Sequence, residues 1–134
     1  MAGQFAIDMA AFGAKSKTQM RNVVRWVSLE MLRRIVMRSP VDTGRFRANW
    51  QVDLNTPPEE VTVDVDVDGQ ITVMAGELKL AGYELGGTVF IVNNLPYAIP
   101  LEEGHSKRQA PAGMVGVTLT EFPGVVETSA SAVR

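Results

Sequence analysis

The chain has 134 residues, 46% of them hydrophobic, with 13 Lys/Arg against 15 Asp/Glu and no cysteine. That length accommodates one domain with a modest core rather than two, and the hydrophobic content excludes a wholly disordered chain. The missing thiols exclude disulfides, thiolate catalysis and thiolate metal sites, and no apolar run reaches the roughly 18 residues that a membrane helix needs.

Residues 1–15 mix small and apolar side chains without a steady period and read as an N-terminal arm or a short docking segment. They lack the basic, apolar and cleavage pattern of a signal peptide. From Ser16 to Arg38 the pattern is helical: Met20, Val23, Val24, Val27, Met31 and Ile35 draw one apolar stripe. Ser16 is placed to cap its start. Arg21 and Arg25 lie one turn apart, a mildly unfavourable pairing of like charges, whereas Arg33, Arg34 and Arg38 sit where the helix dipole favours cations. These arginines form either a solvated face or a surface for acidic neighbours.

SPVDTGRFRANW, Ser39 to Trp50, then ends the helix. Pro40 fixes its φ, Asp42 is suited to bond a nearby backbone N–H and Gly44 tolerates positive φ. Pro40, Asp42, Thr43, Gly44 and Arg45 are therefore read as a helix-to-strand corner, with Arg47 and Trp50 as candidates for a packing or subunit surface.

Gln51 to Glu60 supplies a strand end and a turn, since Pro57 and Pro58 exclude a helix interior or central strand. Val61 to Val67 (VTVDVDV) alternates without a fault, which predicts a half-buried strand with Thr62, Asp64 and Asp66 toward water or a partner. Asp68-Gly69 signals a hairpin returning through Gln70 to Ala75. The spacing of Asp64, Asp66 and Asp68 resembles the start of a calcium loop, but position 12 counted from Asp64 is Ala75 rather than glutamate. No metal is expected.

Gly76 to Thr88, with four glycines, reads as a long loop or β-excursion. Val89 to Val92 reads as a short central strand, and Tyr97 to Pro111 as a long polar connection. Ala112 to Phe122 is assigned to a C-terminal helix, broken by Pro123-Gly124 before a frayed end. The expected divisions are thus an arm over 1–15, one α+β domain over 16–122 and a tail over 123–134. That domain is a long N-terminal helix on a mostly antiparallel twisted sheet, with a shorter C-terminal helix.

Chemistry is sparse. His105, the only histidine, adjoins Ser106 and follows Glu102 and Glu103, but sequence neighbours are a poor scaffold for a triad and no nucleophile elbow surrounds Ser106. Neither GELKLAG nor GYELGG matches a phosphate-binding pattern. No catalytic centre and no cofactor are expected. Charge is unevenly divided: residues 1–47 carry nine Lys/Arg against three acids, and the remainder four against twelve. Such poles either steer copies together or neutralise each other within one fold. The basic half also leaves open a nucleic-acid-associated or assembly-regulating protein, although no helix-turn-helix or aromatic sheet platform is present.

A helix ending in RSPVDTGRFRANW, a β region, and then VNNLPYAIPLEEGHSKRQAPAGMVGVTLTEF resembles the tail-component or tail-completion proteins of long-tailed bacteriophages, typified by the HK97 tail component. The family pattern falls on Ser39, Pro40, Val41, Asp42, Thr43, Gly44, Arg45, Phe46 and Arg47, then on Tyr97, Ala98, Glu102 or Glu103, Gly104 and Pro111. Phe46 stands where the family usually has leucine. The resemblance spans about residues 16–122. It implies a non-enzymatic virion protein of the tail or neck, made in the host cytoplasm, in a ring of about six copies with twelve as the alternative. Neighbouring neck, tail-terminator, tail-tube or head-completion proteins are the implied partners, with non-specific contact to packaged DNA and none to membrane. The candidate interface residues are Arg21, Arg25, Arg33, Arg34, Arg47, Trp50, Asp64, Asp66, Tyr97, Glu102, Glu103 and His105.

Overall fold

A computed structural model describes residues 2–5 and 16–133. Its elements in chain order are β1 (Ala2–Phe5), α1 (Lys17–Arg38), α2 (Arg45–Ala48), β2 (Trp50–Leu54), α3 (Gln70–Leu80), β3 (Val89–Asn93), α4 (Ala98–Glu102), α5 (Val115–Thr120) and α6 (Phe122–Ala132). The architecture is α+β, as the sequence predicts: one antiparallel sheet in the order β1-β3-β2, packed against helices. Ala2–Phe5 thus dock as an edge strand on β3, in keeping with the docking-segment alternative; the rest of the expected arm lies outside the described residues.

α1 begins with a complete capping box. The Ser16 hydroxyl accepts from Gln19 N–H and the Gln19 amide accepts from Ser16 N–H, satisfying orphan donors at both positions. Its stripe of Val23, Val24, Val27, Met31, Leu32, Ile35 and Val36 is fully buried and forms the spine of the core. The sheet contributes Trp50, Val52, Val89 and Ile91, with Val52 opposite Ile91 across the β2–β3 pair. β3 is central, as its unbroken VFIV run predicts.

Three predicted elements differ. Val61–Val67 pairs with no strand: the chain runs from Pro57 to Asp66 without helix, turn or bend, and its valines face outward while Asp66 is buried. The predicted return strand and the first part of the predicted loop form α3 instead. Gly69, with φ +78°, opens that helix. Two aspartates of the alternation serve its start: Asp66 accepts from Thr72 N–H at 2.7 Å and Asp68 from Gln70 N–H at 3.1 Å. They neutralise orphan donors where helix polarity favours negative charge, so Asp66 turns inward, while Asp64 and Asp68 stay exposed with the valines.

The third difference is the C-terminus. Pro123 sits in the first turn of α6, where proline has no hydrogen bond to lose, and the predicted frayed tail is a helix that packs on α1 through Val125 and Ser129. Arg38 of α1 anchors it, donating to Glu121 through two bonds of 2.6 and 2.8 Å and to Thr118 at 2.9 Å.

Candidate assembly interface

α3 is amphipathic the wrong way round for a helix of an isolated domain. Its inward face presents Thr72, Gly76 and Leu80, which are buried against α1 and β2. The outward face presents Ile71, Met74 and Leu78, each more than half exposed. Glycine at 76 permits the close crossing: a Cβ there would lie 2.2 Å from Leu32 Cδ2 and 3.1 Å from Val52 Cγ2. Beside α3 runs the acidic ribbon, with Val61, Val63, Val65 and Val67 also more than half exposed, Val63 reaching 80%. A cleft of about 290 Å³ between Val52, Val65 and Ile71 joins the two surfaces. Seven large apolar side chains on adjacent segments exceed the scattered exposure normal on a monomer's surface.

The ribbon is held to the body of the domain at Thr62, Asp66 and Val67. Thr62 donates its N–H to Asn49 Oδ1 at 2.9 Å, and its carbonyl accepts from Asn49 Nδ2 at 3.0 Å and Arg45 Nε at 3.1 Å. Asp66 N–H donates to Gly44 O at 3.0 Å. Gly44 adopts φ +93°, and a Cβ would stand 2.8 Å from Val67 N, so only glycine lets the ribbon lie this close. Burial alone would raise the Asp66 carboxyl, but hydrogen bonds from the Thr72 hydroxyl and N–H, joined by Asp68 and Gly69, hold it below the ordinary aspartate range.

The predicted corner exists and is richer than expected. Ser39 Oγ donates to Ile35 O at 2.8 Å and accepts from Trp50 Nε1 at 2.7 Å. Arg47 clamps three carbonyls, those of Ser39, Met37 and Val67. Thr43 Oγ1 accepts from Arg45 N–H at 3.2 Å, and Pro40 is buried. Asp42 departs from expectation: it is exposed, with no hydrogen bond among the described residues. Asn49, wholly buried and absent from the sequence candidates, ties α2 to the ribbon in its place.

Several candidate interface residues turn inward. Trp50 is a core residue, edge-on to Phe46 at 5.9 Å. Arg25 donates to the carbonyls of Ala81 and Tyr83 at 2.7 and 2.9 Å, and Arg21 approaches Glu84 at 4.0 Å. Arg34 pairs with Glu30 at 3.0 Å and Glu121 at 3.2 Å, whereas Arg33, paired with Glu30 at 3.1 Å, stays exposed on the helix surface. The Glu102 carboxylate accepts from three successive N–H groups, of Met114, Val115 and Gly116, and thereby caps α5. Asp64, Tyr97, Glu103 and His105 remain on the surface, with the Tyr97 ring against Phe46 at 5.7 Å.

The two sequence motifs meet. Val41 and Gln109 bond reciprocally, N–H to Oε1 at 2.8 Å and Nε2–H to carbonyl at 3.1 Å, and Asn93 Nδ2 donates to Phe46 O at 3.0 Å. Comparison with protein-family models, curated proteins and solved structures gave no match. The motifs' joint work in this chain is thus read from its own geometry: the 39–47 turn and the 93–111 connection form one hydrogen-bonded seam.

Among the described residues no group of three or more His, Asp or Glu is disposed to hold a metal ion, and no hydrogen bond links the side chains of His105 and Ser106. No helix is long and apolar enough to cross a membrane. Of the polar residues weighed for chemistry, Asp66, Asp68 and Glu102 are engaged in backbone capping, whereas the exposed residues that stand out are apolar.

Proposed function

We infer that the chain is a structural subunit of the tail or neck of a long-tailed bacteriophage, built into an oligomeric ring that completes the tail and joins it to the head. The observation that carries this reading is the outward apolar surface of Val61, Val63, Val65, Val67, Ile71, Met74 and Leu78. Covering each such side chain is worth on the order of 1 kcal/mol at about 25 cal/mol per Å² of apolar surface, a gain that favours association. The resemblance of the 39–47 and 97–111 motifs to tail-completion proteins supports the phage context, and their union in one seam supports reading them as one feature.

The nucleic-acid alternative draws less support. Arg25, Arg34, Arg38, Arg45 and Arg47 all bond within the chain, and phosphate-backbone binding needs such groups free.

Absolute mass by light scattering tests the assembly reading. The wild-type chain is expected to form a hexamer-sized or larger species, and Met74→Asp or Leu78→Asp, both on the outward face of α3, to yield smaller ones. Both positions are exposed, so the fold should tolerate the changes to within about 0.5 kcal/mol. A wild-type monomer at every concentration would sink self-assembly of the isolated chain.

A further inference from the structure

The ribbon from Val61 to Asp66 runs without helix, turn or bend and is paired with no strand. In a stretched chain the N–H and C=O groups of successive residues point to alternate sides. Thr62 turns both of its groups toward α2, where Asn49 and Arg45 engage them, and Asp66 N–H donates to Gly44 O while its carbonyl accepts from Gly69 N–H. The backbone groups of Val61, Val63 and Val65 make no hydrogen bond among the described residues. A row of unpaired donors and acceptors flanked by exposed valines is a template for one further strand.

Charge selects the occupant. Glu59, Glu60, Asp64, Asp66 and Asp68 lie along the ribbon or beside it, and no base lies between Gln51 and Leu78. Antiparallel pairing of two copies about Asp64 would set Asp64 against Asp64, and like charges directly opposed destabilise a pair of strands. Nor do this chain's described strands supply a complement: β1 (AGQF), β2 (WQVDL) and β3 (VFIVN) contain no Lys or Arg, and β3 is already flanked on both edges.

We propose that the Val61–Val67 edge receives an extended segment of a different protein, in which apolar residues alternate with Lys or Arg, by strand addition. The apolar residues would cover the valines, and the basic ones would meet Asp64 and its acidic neighbours. The inference rests on the assembly reading only in taking the donor to be another structural subunit; the chemistry of the edge stands apart from ring formation.

The test titrates the full isotope-labelled chain with a capped peptide of about eight residues alternating valine and lysine, following amide hydrogen exchange residue by residue. Exchange at Val63 and Val65 is expected to slow at least roughly tenfold at saturation. The same peptide N-methylated at every residue, which removes the donors of both edges, should give no slowing. A valine–glutamate peptide should bind at least about tenfold more weakly. Val63→Pro, which deletes an N–H the fold does not use, should abolish the effect; should that variant unfold, the N-methylated peptide still decides. No slowing at Val63 and Val65, or equal binding of the two charge types, would overturn the proposal. So would concentration-dependent protection without peptide, which would make a second copy the occupant. A monomer by light scattering that still shows peptide protection would count against the ring alone, and a ring without protection against the edge alone.

Discussion

Glycine 113 shows how much a single position can hold. It adopts φ +81°, and a Cβ would lie 2.3 Å from Glu102 O and 2.8 Å from its Oε2. Gly113→Ala therefore adds a left-handed strain to a collision with the carboxylate that caps α5. A loss of about 1–3 kcal/mol is expected, measurable as a lowered urea midpoint at unchanged slope. Glu121 makes a pH prediction. Hydrogen bonds from Arg38, opposed by desolvation and reinforced by Arg34, lower its carboxyl from 4.5 to about 2. A depressed carboxyl contributes stability that is fully present above its unfolded value and disappears as pH falls through the folded one. The urea midpoint of Glu121→Gln should lie below wild type at neutral pH and converge with it between pH 4.5 and about 2. A gap that persists at the acid end would mean that Glu121 acts by packing rather than by charge.

At the scale of elements, the crossing of α3 over α1 and β2 depends on Gly76. Gly76→Ala should destabilise by about 1–3 kcal/mol through forced displacement of Leu32, although alanine is the better helix former. Leu78→Ala, one turn-face away and 78% exposed, should change stability by less than about 0.5 kcal/mol; comparable losses in thermal unfolding would contradict the assigned face. This inverted helix also explains where the sequence was legible. α1 could be read because its apolar stripe faces the core, and β3 because an unbroken apolar run suits a strand covered on both edges. β2 was legible only as a strand end before Pro57 and Pro58. The ribbon and α3 could not be read by the same rule, since periodicity records which residues share a face and not which way that face points. Val61–Val67 has the period of a strand with nothing to cover it, and QITVMA is β-branched yet helical because Asp66 and Asp68 cap it. α6 is not legible for a local reason: Pro123 reads as a breaker in sequence, although proline is at home in a first helical turn. Of the site, the acidic alternation was visible, but Asn49 and the capping role of Glu102 were not, because each depends on partners at least 12 residues away.

Over the whole molecule the charge division largely closes on itself. Cations of the first 47 residues meet acids or carbonyls of the later ones, as in Arg38 with Glu121 and Arg25 with Ala81 and Tyr83. What is left outward is apolar and acidic. An assembly built through that surface should therefore be governed by burial rather than by long-range attraction. Its mass by light scattering should change little between low and high salt, since screening acts on exposed charges; dissociation by salt would return the weight to charge steering.

The reciprocal bonds between Val41 and Gln109, and the grip of Arg38 on Glu121, also bear on how the chain is made. Synthesis runs from the N-terminus, so α1, the spine of the core, emerges first. The residues that cover it emerge later, α3 midway and α6 last. The valines of α1 consequently spend most of translation without their final neighbours, and the earliest helix to appear is among the last to be enclosed.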